Sequence, residues 1–244
     1  RFSQLSTLTS LKSSHDIFEK LLLSFDTGIE AMENEDVELD EVFKHFPSDL
    51  SEQLKADISK KLLDSDRESI TLRLRNNIYN ISKDENRNVK ANVVKLNHGY
   101  QDDLFDYADE SDGTRRLFDL IPLLLTCEED SLVLIDEVDR SLHPLLTRKY
   151  LKFLNLIFKE KNSQCIITTH DSSLFDLDMF RIDEINLINR DENQCSIIKK
   201  LNSKSIRFDK RINKDYLNGA YEGVPTIREN LVLEKLHIAE KRKN

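Results

Sequence analysis

Glycine and proline are scarce in this chain, five and four among 244 residues. No Gly-x-x-x-x-Gly-Lys-Ser/Thr stretch occurs, so the loop that cradles phosphates with backbone N–H groups is absent from these residues. No apolar run approaches the length of a membrane-spanning helix and no signal-peptide pattern is present, so no membrane partner is expected. Repeats, low-complexity tracts and long heptad arms are also missing. Cysteine is limited to Cys127, Cys165 and Cys195, an odd number. That excludes a simple disulfide framework and points to reduced thiols in a cytoplasmic protein, with Cys165 and Cys195 expected to be buried in sheet. Positive charge is outweighed, the net charge being −9, which excludes bulk attraction to nucleic acid. A nucleic-acid contact would need a local basic patch or a partner.

What is present is 39% hydrophobic and 33% charged, enough for one large domain or two small ones with a real core. With so little Gly and Pro, a helix-rich chain with many solvated faces is expected. The organising stretch runs from Ser131 to Pro144. Leu132, Val133, Leu134 and Ile135 form a continuous apolar run, the pattern of a strand buried on both faces in a parallel α/β sheet. The run ends in two adjacent acids, Asp136 and Glu137. Ligands in open α/β sheets sit just beyond the carboxyl ends of strands. There, one carboxylate can hold a hydrated Mg²⁺ and the next can orient an attacking water. A strand ending in Asp-Glu is common, however, and alone it marks only solvated loop acids.

Upstream, Ser14 is placed to cap a helix over about residues 16–25, with Ile17, Phe18, Leu21, Leu22 and Phe25 on one face. Residues 29–42 are rich in acids and read as a solvated acidic connection. From Asp49 to about Asn80 the pattern reads as helical, with Leu50, Leu54, Ile58 and Leu62 at repeats of four and a break at 64–66 separating two helices. Val89, Ala91 and Val93 alternate, which predicts a strand ending near His98-Gly99. His98 reads as a turn or edge residue, since no second metal-type side chain is spaced to join it.

Asp109 to Arg116 precedes an apolar helix, Leu117 to Leu125. Its hydroxyls, its glycine and the unpaired N–H groups of a helix start can bind an anion. Read by itself, it is an ordinary capped helix with Ser111 or Asp112 as the cap. Beyond the two acids, Pro144 suits the first turn of a helix whose Leu146, Tyr150, Leu154, Ile157 and Phe158 face the core. Cys165 to Thr169 is a further apolar strand, and it ends at His170. Asp171-Ser172-Ser173 is expected to cap a short helix over Leu174 to Phe180. Residues 184–189 and 196–201 read as a hairpin joined by the turn Asp191 to Gln194.

Taken together these segments resemble the ABC-type ATPases, in which a Ser-x-Gly signature opens a helix leading to a Walker B strand that ends Asp-Glu. Ser111-Asp112-Gly113 matches the signature and Leu132 to Glu137 matches Walker B. Ser141-Leu142-His143 falls at the D-loop. Its Leu-His-Pro ending departs from the transporter pattern and is similar to the OLD-like branch of bacterial anti-phage defence, such as the ATPases of Septu and PARIS. Asp109 to Leu117 is similar to their Glu-Ser-x-Gly-Thr-x-x-Leu stretch. Tyr216 to Pro225 resembles their C-terminal Tyr-Leu-x-Gly-x-Tyr-Gly-x-x-Pro ending, with Glu222 in place of a Gly.

The resemblance implies the later lobe of an ABC-type α/β fold. It would have a mostly parallel sheet flanked by helices, a helical insertion and a C-terminal hairpin. Residues 1–100 would form the insertion with one strand leading to the signature, 101–190 the ATPase core and 191–244 the hairpin and tail. A P-loop would lie upstream. The implied cofactors are ATP and Mg²⁺, with Asp136 at the metal and Glu137 and His170 catalytic. Ser111, Asp112, Gly113, Thr114, Asp139, Ser141 and His143 would bind the nucleotide. The implied partners are a second copy in an ATP-sandwich dimer or higher homo-oligomer, and a separate nuclease or toxin effector. The rival readings are a DNA-repair or chromosome-maintenance ATPase and a catalytically inactive nucleotide-binding scaffold.

Overall fold

The computed structural model describes residues 12–64, 69–74, 77–84, 86–100, 103–201, 212–221 and 233. The chain divides into two compact units, Arg1–Thr169 and His170–Asn244. The first holds α1 (Lys12–Ser24), β1 (Ala31–Val37), α2 (Leu39–Phe43), α3 (Ser48–Leu63), β2 (Ser69–Leu74), β3 (Asn77–Lys83), β4 (Val89–Asn97) and β5 (Leu104–Asp106). It continues with α4 (Asp112–Thr126), β6 (Leu132–Ile135), α5 (Pro144–Glu160) and β7 (Gln164–Ile167). The second holds the hairpin β8 (Asn186–Arg190) and β9 (Ser196–Lys200), then α6 (Ile212–Leu217).

The larger sheet of the first unit is antiparallel, in the order β1-β4-β3-β2, with β5 also pairing β4. A mostly parallel sheet is therefore not what the described residues form; their parallel pairing is that of β6 with β7. The reason lies in the connections. Only two residues separate β2 from β3 and five separate β3 from β4, and connections that short return a chain antiparallel. Between β6 and β7 the chain instead crosses over through α5 and returns parallel.

Two stretches depart from their sequence patterns. The second helix predicted to run to about Asn80 is not formed: Ser69–Leu74 and Asn77–Lys83 pair antiparallel as β2 and β3. Ile81 is fully buried beneath α2 and α3, packed with Val42, Phe43, Leu62 and Ala91. Residues 31–37, predicted as an acidic connection, form β1. Its acids meet cross-strand partners on β4: Glu33 accepts from Asn97 at 2.8 Å, Asp36 accepts from Asn92 at 2.5 Å, and Glu35 lies 3.4 Å from Lys95. Charged residues on an edge strand also discourage pairing with another chain.

The other core of this unit sits between helices. Phe18 and Leu22 of α1 and Phe25 just after its end are buried, following the predicted face, although Ile17 is exposed. The helix is already formed at Lys12, so Ser14 lies inside it and is not its cap. Phe18 meets Phe118 of α4 edge-on at 5.3 Å, and Phe25 packs near Tyr150 of α5. Fully burying such side chains contributes roughly 1.5–3 kcal/mol each. Pro144 occupies the first turn of α5 as predicted, and Tyr150, Leu154 and Phe158 are buried. The Tyr150 hydroxyl donates to the Leu120 carbonyl at 2.9 Å, tying α5 to α4.

In the second unit the hairpin forms as predicted, with Ile185, Leu187, Leu201 and Ile212 as its core. Asp171 caps only a single turn, Ser172–Leu174, and the helix predicted to follow over 174–180 does not form. All three cysteines are free thiols. Cys165 is half-buried and Cys195 is exposed in the hairpin, so neither is enclosed in sheet as predicted. Burial pushes the Cys165 thiol up to about 11. Glu222 to Pro225, the last part of the family-like ending, lie outside the described residues.

Candidate functional site

The site begins at the start of α4. Ser111 is the N-cap: its Oγ accepts from the Thr114 N–H at 3.1 Å, which satisfies one of the donors that a helix start leaves unpaired. The Thr114 hydroxyl is buried and lies 2.9 Å from the Ser111 hydroxyl. Asp112 is exposed and forms an ion pair with Arg115 at 2.5 Å. The residue before the cap, Glu110, is buried, and its carboxylate lies 2.6 Å from His98 Nε2 at the end of β4. His98 thus sits in a turn as expected, and its ring anchors the approach to α4.

Gly113 is required by a neighbour. A Cβ at this position would stand 2.8 Å from the carbonyl oxygen of Ser141. The start of α4 therefore packs directly on the loop that follows β6. Within that loop Ser141 has a positive φ of 62°, the Asp139 carbonyl accepts from the Leu142 N–H at 3.1 Å, and the Asp139 Oδ1 atom is buried without a hydrogen-bond partner among the described residues. His143 is the N-cap of α5, with its Nδ1 accepting from the Leu145 N–H at 3.2 Å. That bond requires Nδ1 to be unprotonated.

Asp136 and Glu137 stand at the end of β6. The chain turns sharply there, Glu137 having a φ of 47°. Left-handed backbone is unfavourable for a non-glycine residue and persists only where the surroundings impose it. Here Thr168, the residue after β7, supplies one constraint. The Thr168 hydroxyl donates to Asp136 Oδ1 at 2.5 Å and accepts from the Glu137 N–H at 2.8 Å. The Val138 N–H donates to the Thr168 carbonyl at 3.0 Å, and Val138 itself is fully buried. Arg116 of α4 supplies the other: its Nη2 donates to the carbonyls of Asp136 and Glu137, at 3.0 and 2.9 Å.

Of the residues singled out in the sequence, Ser111 to Thr114, Asp136, Glu137, Asp139 and Ser141 thus meet where the start of α4 and the end of β6 converge, and His143 opens the next helix. His170 is exposed and opens the second unit. Arg116 and Thr168 were missed. Their sequence signals are faint: an arginine four residues before buried Leu120 on the inward stripe of a helix, and a hydroxyl at the end of the strand beside β6.

Among the described residues no three His, Cys, Asp or Glu side chains cluster as a metal cage. Asp136 is exposed, and its Oδ2 accepts no hydrogen bond from them. A single carboxylate with a free oxygen suits Mg²⁺, which keeps several waters and takes its other ligands from phosphate.

A family model described as "AAA domain, putative AbiEii toxin, Type IV TA system" matches residues 2–176. No curated protein matches the chain.

Proposed function

Since the chain belongs to that AAA domain family, we propose that it is the later lobe of an ABC-type ATPase whose hydrolysis of ATP acts as a conformational switch. The observation that carries the reading is the packing of Gly113 on the Ser141 carbonyl. It joins the signature-like helix start to the loop beyond two acids at a strand end, and phosphoryl transfer asks mainly for such positioning of charge. In this reading Asp136 would hold Mg²⁺, which when bound neutralises charge on the phosphate oxygens. Glu137 orients the attacking water by accepting a hydrogen bond from its O–H. His170 donates to the γ-phosphate. The start of α4, with Ser111 to Thr114, presents its positive end to the nucleotide of a second copy. Asp139, Ser141 and His143, between the end of β6 and the start of α5, would bind the nucleotide at the junction between copies. The reading requires a phosphate-cradling loop from sequence outside residues 1–244.

The family's description names a toxin and a toxin–antitoxin system. That is compatible with a role in bacterial anti-phage defence, in which ATP-driven association gates a separate nuclease or toxin effector and any nucleic acid is met through that partner.

The test is Glu137→Gln in protein that carries the upstream loop. The amide keeps size and hydrogen bonding but removes the charge that polarises water. Turnover should fall by about 100-fold or more, the scale of a lost positioned base. ATP binding should persist, and the associated form should accumulate in ATP, as measured by light scattering. Unchanged turnover would remove Glu137 from the catalytic role.

A further inference from the structure

Arg116 spans the gap between α4 and the end of β6 with one nitrogen. Its Nη2 reaches two consecutive carbonyls, of Asp136 at 3.0 Å and of Glu137 at 2.9 Å. Successive carbonyls converge on one donor only where the backbone leaves an extended path, and the φ of 47° at Glu137 is that departure. Among the described residues the guanidinium forms no ion pair. Asp112 is taken by Arg115 at 2.5 Å and Asp119 by Arg73 at 2.6 Å. Together with Arg140 and Ser141, these groups and Arg116 line a cavity of about 300 Å³. The Arg116 Nε is buried and has no hydrogen-bond partner among the described residues, a cost that a purely stabilising arginine would be expected to avoid. The charge of Arg116 therefore falls on two peptide oxygens, opposite the Thr168 hydroxyl that holds the Glu137 N–H.

We propose that Arg116 is a positioning residue for Glu137. By holding both carbonyls it keeps Glu137 in the left-handed conformation that sets the direction of its side chain. It also makes α4, the helix opened by Ser111 and Gly113, the element through which contact with a second copy is felt at Glu137. A shift of α4 along its axis draws on Nη2 and releases the Glu137 backbone; a seated α4 restores it. The inference rests on the ATPase reading of Glu137.

The experiment uses the protein with its phosphate-cradling loop and compares Arg116→Ala, Arg116→Lys and Glu137→Gln. Misplacing a catalytic group through its supports costs roughly 10- to 100-fold. Arg116→Ala should lower kcat by that factor while the Kd for ATP stays within about threefold, since binding does not pass through Glu137. Arg116→Lys should recover part of the rate, because an ammonium can still donate to both carbonyls. Millimolar guanidinium should raise turnover of Arg116→Ala and leave the wild type unchanged, a response that mere loosening of the fold would not produce. If Glu137→Gln abolishes turnover while Arg116→Ala stays within twofold of wild type, the positioning role is overturned and the ATPase reading stands. If Arg116→Ala and Arg116→Lys lose activity equally, with equal loss of thermal stability and no guanidinium response, Arg116 is structural only and the inference is wrong. If Glu137→Gln is silent, the ATPase reading fails and takes the inference with it.

Discussion

The antiparallel sheet of β1–β5 and the parallel pair β6–β7 lie in the same unit and are covered to opposite degrees. In the first, Ile81 and Leu96 are fully buried and Ala91 is 3% exposed. In the second, Leu132, Leu134 and Ile166 are 59%, 70% and 58% exposed, while the alternate residues Val133, Ile135, Cys165 and Ile167 are better covered. The difference follows from topology. Strands joined by short turns pair at once, and two local helices, α2 and α3, complete their core. A parallel pair needs a crossover helix on one face and something further on the other. Among the described residues the second face has no cover. The candidate chemistry stands at the end of this less complete region. Its geometry is held by polar contacts from Thr168 and Arg116 in place of a closed apolar shell.

The largest effect should come from the closed side of this comparison. Leu62→Ala removes a fully buried side chain from the core under α2 and α3, and should cost about 2–5 kcal/mol in the unfolding transition of the first unit. A loss below 1 kcal/mol, read by denaturant titration, would show that the antiparallel sheet does not close its own core.

Gly113→Ala comes next and probes the join between the regions. The added methyl would stand 2.8 Å from a backbone carbonyl, which cannot swing aside as a side chain can. Overpacking of this kind costs about 1–3 kcal/mol. It outweighs the gain of about 1 kcal/mol in helix propensity. The unit should therefore lose stability. A net gain would mean that the loop at Ser141 yields freely, and that α4 and β6 are less firmly joined than the geometry indicates.

The smallest effect is expected on the open face. Leu134→Ser should change stability by no more than about 0.5 kcal/mol, as for other exposed positions. A loss above 1 kcal/mol would show that this face is covered in solution, and dilution of the sample would then tell whether a second copy covers it.

The elements nearest the candidate site were the most legible in the sequence. The β6 run with its terminal acids, the proline that starts α5 and the serine that caps α4 are each set by neighbours a few residues away. Local rules suffice there, because caps, turns and first-turn prolines are satisfied within one or two turns of chain. The burial of β6 on both faces that its apolar run predicted, however, is not met among the described residues, where Leu132 and Leu134 are exposed. The acid-rich β1 was not legible. Its residues are stable in a strand because Asn92, Lys95 and Asn97 meet them across the sheet, and those partners lie about sixty positions downstream. The β2–β3 hairpin escaped although Ile70, Leu72 and Leu74 alternate with polar residues: so short an alternation follows directly on the helical pattern of 49–64, and what selects the strand is the packing of these side chains against the core under α2 and α3.

By itself, then, the sequence determined which local segments form around the candidate residues, and in what order they follow along the chain. Tertiary structure alone decided that Arg116 and Thr168 hold the turn at Glu137, and that Gly113 must be bare because Ser141 lies against it. Such contacts join positions twenty to thirty residues apart, and their existence depends on where whole elements pack. No spacing along the chain encodes that distance in space, so no motif could have announced it.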